Sequence, residues 1–282
     1  MKQVISLVVL GLLYANTFVS QAGAQCEEQG NDNVQVGVVQ SGRIINGIGV
    51  KIDRYKFALS LRSFGQHACG ASIITHSHAL TAAKCVYHFQ FDVSRVNLYA
   101  GSTSALIGGI LIPVDKIVVH PDYKSSIIAS NVASDFDVAV LTVPLFSFVG
   151  RPNMAPIALQ TFDVKPGTLC HVIGWGQTIK NGPMLVNELR YASMRITSQT
   201  TCARLWSPTQ LVVPNMICAK YCLGVDVCTG DNGNALVCNG KLTGIVSNSN
   251  RDCGGAKPAI FIRTEALSIR LFIQNNIQMF GK

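Results

Sequence analysis

Asp226-Val-Cys-Thr-Gly-Asp-Asn-Gly-Asn-Ala-Leu-Val-Cys238 is the stretch on which the fold and chemistry of this chain turn. A Gly-Asp pair, one further residue and a second Gly form a frame that often presents a serine nucleophile. Here the residue in the frame is Asn232. A second stretch, Leu80-Thr-Ala-Ala-Lys-Cys85, has the form of a setting for a histidine base and carries Lys84 instead. The question is whether the chain does chemistry or keeps a catalytic shape for another purpose.

Outward from these stretches the pattern is β structure. Phe57, Leu59 and Leu61 alternate with Ala58, Ser60 and Arg62, the period of a half-buried strand. Short apolar runs follow at residues 68–74, 79–83, 95–101 and 110–120, the last closed by Pro121-Asp122. Residues 136–143 form an apolar strand led by a polar residue, Asp137. Residues 144–168, punctuated by Pro144, Pro152, Pro156 and Pro166, read as a crossing linker. A second β series covers 169–175, 189–196, 236–246 and 259–263. Many short strands with turn signals predict a sandwich or barrel architecture. Thr264-Glu-Ala then opens a final helix, with Leu267, Leu271, Phe272 and Phe280 as its apolar face and Ile273 and Ile277 beside it.

Residues 1–24 read as a secretory signal peptide: Lys2 gives a positive start, residues 5–14 are mostly apolar, and Ala22-Gly-Ala24 is a small-residue cleavage site. The apolar run is too short to span a bilayer, and no later stretch replaces it. Ten cysteines, all after residue 24, argue for disulfides in an oxidising compartment. Apolar residues make up 48% of the chain and charged residues only 13%, which excludes a largely disordered protein. The formal charge of +8 is scattered without a basic run, so nucleic acid is not an expected partner. Six dispersed histidines give no metal-ligand cluster, and no cofactor is implied. Residues 25–43 form a polar pro-segment ending at Arg43, which is either a cleavage point or simply part of a loop entering the first strand.

Taken in order, these stretches resemble the chymotrypsin/trypsin family of serine proteases. The anchors are Arg43-Ile-Ile-Asn-Gly47, Cys69-Gly-Ala-Ser-Ile-Ile74, Leu80 to Cys85, Asp137-Val-Ala-Val-Leu141, Gly174-Trp-Gly176, Gly230-Asp-Asn-Gly233 and Gly244-Ile-Val-Ser-Asn248. The resemblance implies an all-β fold of two antiparallel six-stranded barrels with a C-terminal helix, over a domain at 44–282. It also implies the disulfides Cys69–Cys85, Cys170–Cys238, Cys202–Cys218 and Cys228–Cys253. Cys26 and Cys222 remain, to pair with each other or with another protein.

The family mechanism requires a hydroxyl nucleophile, an imidazole that takes and returns its proton, and a buried carboxylate that orients the imidazole. Asp137 matches the carboxylate, while Lys84 stands at the base and Asn232 at the nucleophile. An amide does not form an acyl-enzyme, and a lysine beside a carboxylate is held in its protonated form. A Lys84–Asp137 ion pair in place of the histidine–aspartate contact is therefore expected. His88 and Thr229 are available near the cleft as substitutes. Ser247 matches a serine that bonds the buried carboxylate. Asp231 matches the residue that pairs with a new N-terminus at Ile44 after cleavage at Arg43. Asp226, Ser249 and Ala259 match a basic-specificity pocket, with its entrance narrowed by the side chains at 249 and 259. Gly230 and Asn232 match the donors of an oxyanion hole, although Asn234 and Ala235 depart from the usual sequence after them.

The expectation is a secreted, catalytically inactive homologue. Such proteins are common in insect haemolymph and reproductive secretions, and as a class act as cofactors, decoys or regulators. Its partners would be extracellular proteins: active proteases, inhibitors or peptide ligands. The alternative is a residual serine-type endopeptidase with trypsin-like preference.

Overall fold

Leu59, Leu61, Ile73, Leu80, Leu98 and Leu141 come from different apolar runs, and each is at most 1% exposed. They meet because each strand turns one face inward on a shared core. In the computed structural model, which describes residues 47–124, 135–176, 187–220, 227–228, 230–248 and 255–277, these residues belong to the first of two antiparallel sheets. The expected signal peptide (1–24) and pro-segment (25–43), with Arg43, Ile44 and Cys26, lie outside the described residues. So do Cys222, Asp226, Thr229, Ser249, Cys253 and Phe280.

A short β1 (Ile48–Gly49) precedes the first sheet, which is built from β2 (Ala58–Ser63), β3 (Gln66–Ile73), β4 (His78–Thr81), β5 (Val96–Ala100), β6 (Ile110–Pro113), β7 (Lys116–Val119) and β8 (Ala139–Thr142). Their spatial order is β6-β5-β2-β3-β4-β8-β7. The run at 110–120 is thus two strands, broken at Val114-Asp115. Helix α1 (Ala83–Val86) follows β4 directly and carries Lys84. The second sheet contains β9 (Leu169–Gly174), β10 (Arg190–Thr197), β11 (Met216–Lys220), β12 (Ala235–Cys238), β13 (Lys241–Asn248) and β14 (Ala259–Arg263). Pairing of β9 with both β12 and β10 closes these six into a barrel, with β1 added against β10. The expected architecture is therefore present, as one closed barrel and one open, curved half-barrel. The run at 236–246 resolves into β12 and β13, joined at Asn239-Gly240. Both turn residues have positive φ, 51° and 73°, the geometry that Asn-Gly favours in a two-residue hairpin.

Three details differ from the sequence reading. Strand β2 is not half-buried over its first half: Ala58 and Ser60 are as buried as Leu59, because the face opposite the core packs towards the second barrel. The C-terminal helix, α3 (Leu267–Ile277), buries Ile269, Phe272 and Ile273, while Leu267 and Leu271 are 63% and 47% exposed. The 3.6-residue period is anchored on Ile269, which turns Leu267 and Leu271 towards solvent. Helix α2 (Gln199–Trp206) and strand β11 were not expected. Ser198 caps α2 by accepting from the Thr201 N–H at 3.2 Å, and Cys202–Cys218 ties the helix to β11.

Cys69–Cys85 and Cys170–Cys238 also form as expected. Each bridge stabilises by about 2–4 kcal/mol through restriction of the unfolded chain. Cys228 is disulfide-bonded too, and its expected partner, Cys253, lies outside the described residues. Among the described residues no helix is long and apolar enough to cross a membrane.

Candidate functional site

Asp137 precedes β8 and is fully buried, so each of its oxygens needs a donor. Oδ1 accepts from the Lys84 backbone N–H at 2.8 Å. Oδ2 accepts from the Ser247 hydroxyl at 2.6 Å and lies 3.0 Å from the Lys84 ammonium. The same ammonium donates to the Ser247 carbonyl. Lys84 keeps 28% of its side chain exposed, so the charge sits at the rim of the buried carboxylate. The expected ion pair is therefore formed, and β13 supplies two further contacts through Ser247. The burial of Tyr123, then the charge of Asp137, pushes that phenol's pKa well up.

Asn232 is partly buried in the turn that enters β12. Its carbonyl accepts from the Gly70 N–H at 2.8 Å, and Cys85 Sγ lies 3.9 Å from the same oxygen. Gly233 follows with φ +83° and donates to the Val246 carbonyl at 2.9 Å. A Cβ at Gly233 would lie 2.2 Å from the Gly70 carbonyl and 2.5 Å from Thr81 Oγ1. The turn thus packs directly on the end of β4, two residues before α1 begins. This brings positions 84, 137, 232 and 247 into one neighbourhood where the two sheets meet.

His67 on β3 grips the same turn. Nε2 is 3.1 Å from the Gly230 carbonyl, so it carries the proton and donates. Nδ1, 2.8 Å from Ser60 Oγ, then accepts from that hydroxyl. Burial lowers the imidazole pKa to about 4, against the raising effect of the Gly230 hydrogen bond and with a further lowering by Arg62. The unfolded chain protonates this histidine near 6.5 and the native fold only near 4. Stability associated with His67 is thus intact above about pH 6.5 and falls as the pH drops towards 4. Urea unfolding at pH 7 and pH 4.5 is expected to show a loss of about 2 kcal/mol that His67→Gln does not share. Equal losses in both proteins would contradict this.

Asp231 is fully buried, and Ala259 is fully buried at the start of β14. His88 is exposed in a short 3-10 turn, Tyr87–Phe89, just after α1, with its ring edge-on to Tyr87 at 5.3 Å. Two contacts escaped sequence reasoning: the His67–Gly230 grip and the inward seat of Asn234, which is 3% exposed. Only the second left a sequence signal, the departure from the usual residue after Gly233.

A family model described as Trypsin matches residues 44–269. Trypsin alpha-4 of Lucilia cuprina is 32% identical over 207 residues, 73% of this chain and 77% of the relative. Hypodermin-A of Hypoderma lineatum is 30% identical over 239 residues, 84% of this chain and 88% of the relative. Trypsin 5G1 of Aedes aegypti is 31% identical over 231 residues, 80% and 83% of the two chains. Among solved structures, neuropsin, described as a serine protease expressed in the limbic system of mouse brain, matches with a TM-score of 0.71 at 24% identity. That match covers 82% of this chain and 99% of neuropsin, and it speaks to the fold.

Proposed function

The chain belongs to the trypsin family, and from that premise we propose that it is a secreted, non-catalytic member whose loops around the former cleft bind other extracellular proteins. One observation carries this reading: the position of the base is filled by an ammonium engaged with Asp137 at 3.0 Å and with the Ser247 carbonyl. A proton acceptor is needed there, and an ammonium held between a carboxylate and a carbonyl is a donor. Asn232 adds the second loss, since its amide offers no nucleophilic hydroxyl. The relatives named trypsins share the scaffold, and a scaffold does not carry an activity whose groups are absent. The intact disulfides support an oxidising compartment, consistent with the signal-like residues 1–24.

The purified protein is expected to leave peptide substrates with Lys or Arg before the scissile bond uncut, and to resist labelling by a serine-reactive fluorophosphonate. An active trypsin at equal concentration serves as the control. Turnover or covalent labelling would establish the residual endopeptidase instead. Binding without turnover to proteases or protease inhibitors from the native fluid is the positive result.

A further inference from the structure

Asn234 is a polar side chain in a seat made for it. Gly70 on β3 and Gly174 on β9 flank its carboxamide from the two sheets. A Cβ at Gly70 would lie 1.7 Å from Oδ1, and one at Gly174 would lie 1.8 Å from Nδ2. Neither glycine can be replaced by a larger residue while the carboxamide stays there. The carboxamide meets the fully buried Asp231: Nδ2 is 2.8 Å from Oδ1. Oδ1 also accepts from the Gly176 N–H at 3.1 Å, so the Asn234 atom facing it must be the donor NH2. Oδ2 accepts from the Cys228 N–H at 3.0 Å. A Cβ at Gly176 would approach this carboxyl to 2.3 Å.

The backbone of Asn234 is tied to the same turn. Its N–H donates to the Asp231 carbonyl at 3.0 Å, and its carbonyl accepts from the Val246 N–H at 2.9 Å. A buried carboxyl takes the orientation its donors dictate, because losing them without water is costly. The orientation of Asp231 in turn sets the peptides on either side of it. The Gly230–Asp231 peptide carries the carbonyl that meets His67, and the Asp231–Asn232 peptide leads into Asn232, whose carbonyl accepts from the Gly70 N–H.

We propose that Asn234 is a positioning residue: a neutral strut between the two sheets that orients Asp231 and thereby holds the Gly230–Gly233 turn in one conformation. The proposal goes beyond the non-catalytic reading and stands or falls separately from it, since the strut acts on the turn's geometry whether or not Asn232 reacts.

The test separates a donor from a space-filling side chain. Asn234→Gly removes both, whereas Asn234→Asp keeps the size and sets a second carboxyl against Asp231. Two carboxyls at hydrogen-bond distance share one proton at lower pH and repel when both ionise. The other ionisable groups of the described residues at this turn are His67, with Arg62 behind it, and the Lys84–Asp137 pair. His67 titrates near 4, so measurements between pH 5.5 and 8.5 avoid it.

The readout is hydrogen exchange at the Gly176 and Cys228 amides, corrected for intrinsic rates, with β5 amides as reference. Asn234→Gly is expected to exchange at least tenfold faster than the wild type at both pH values. Asn234→Asp is expected to match the wild type at pH 5.5 and to exchange at least tenfold faster at pH 8.5. Unchanged exchange in a folded Asn234→Gly would overturn the proposal. So would an Asn234→Asp ratio to wild type that is the same at both pH values. If Asn234→Gly does not fold, the Asn234→Asp profile decides alone.

Discussion

The double variant Lys84→His with Asn232→Ser is expected to be labelled by a fluorophosphonate and to hydrolyse a small activated ester on the order of a thousandfold faster than either single variant. The carboxylate that would orient the new imidazole is already in place. Asp137 is buried, with Oδ1 on the Lys84 backbone N–H and Oδ2 on the Ser247 hydroxyl. Neither contact uses the Lys84 side chain, so both survive the substitution. Asn232→Ser alone supplies a hydroxyl beside an ammonium, and Lys84→His alone supplies a base beside an amide. In an unrelated serine protease, losing the nucleophile or the base costs about a millionfold on its own, so the gain should appear only when both return. A small activated ester is the right substrate because its hydrolysis does not depend on a specificity pocket. The outcome that would sink the argument is labelling of Asn232→Ser with Lys84 intact. Lys84 would then be serving as the base, as lysine does in serine–lysine hydrolases.

What the sequence made legible follows from which interactions are local. Strand alternation and turn residues are written residue by residue, so the two β series could be read directly, whereas the pairings of the three disulfides came only through the family resemblance. The Lys84–Asp137 pair was legible because a buried carboxylate must have a partner, and only one substitution nearby supplied a cation. The double-sided burial of β2 was not legible. Ser60 looks like a solvent-side residue until His67 and the Gly230 carbonyl are brought to it from β3 and from a turn more than 160 residues away in sequence. Asn234 was visible as a departure but not as a contact. Its meaning depends on Gly70 and Gly174, which reach it only after β3 and β9 are packed. Helix α2 was missed although its Ser198 cap stands in the sequence. Its burial rests on two residues, Cys202 and Trp206, too few to give a clear helical period.

Lys84→Met is expected to destabilise the fold by about 3 kcal/mol, and the double variant Lys84→Met with Asp137→Asn to recover most of that loss. Removing only the cation leaves a carboxylate of zero exposure with its charge uncompensated. The Lys84 backbone N–H and the Ser247 hydroxyl still donate, which limits the cost to the lower end of the range for broken buried pairs. Partial exposure of the ammonium, at 28%, acts in the same direction because water already screens one side of the pair. Asn at 137 removes the charge but keeps an acceptor for one of the two donors, so the cycle isolates the charge–charge coupling. Urea unfolding of the four proteins at pH 7 measures it. Additive losses, with the double variant as unstable as the sum of the singles, would mean that Lys84 is a rim side chain and that Asp137 is held by its hydrogen bonds alone. Coupling of about 2 kcal/mol or more would mean that the two positions are energetically one unit, in which the lysine compensates the charge of the buried carboxylate. Lys84→His, which retains a partner for Asp137, should then lose less stability than Lys84→Met, and that ordering ties the stability measurement to the activity measurement on the same side chain.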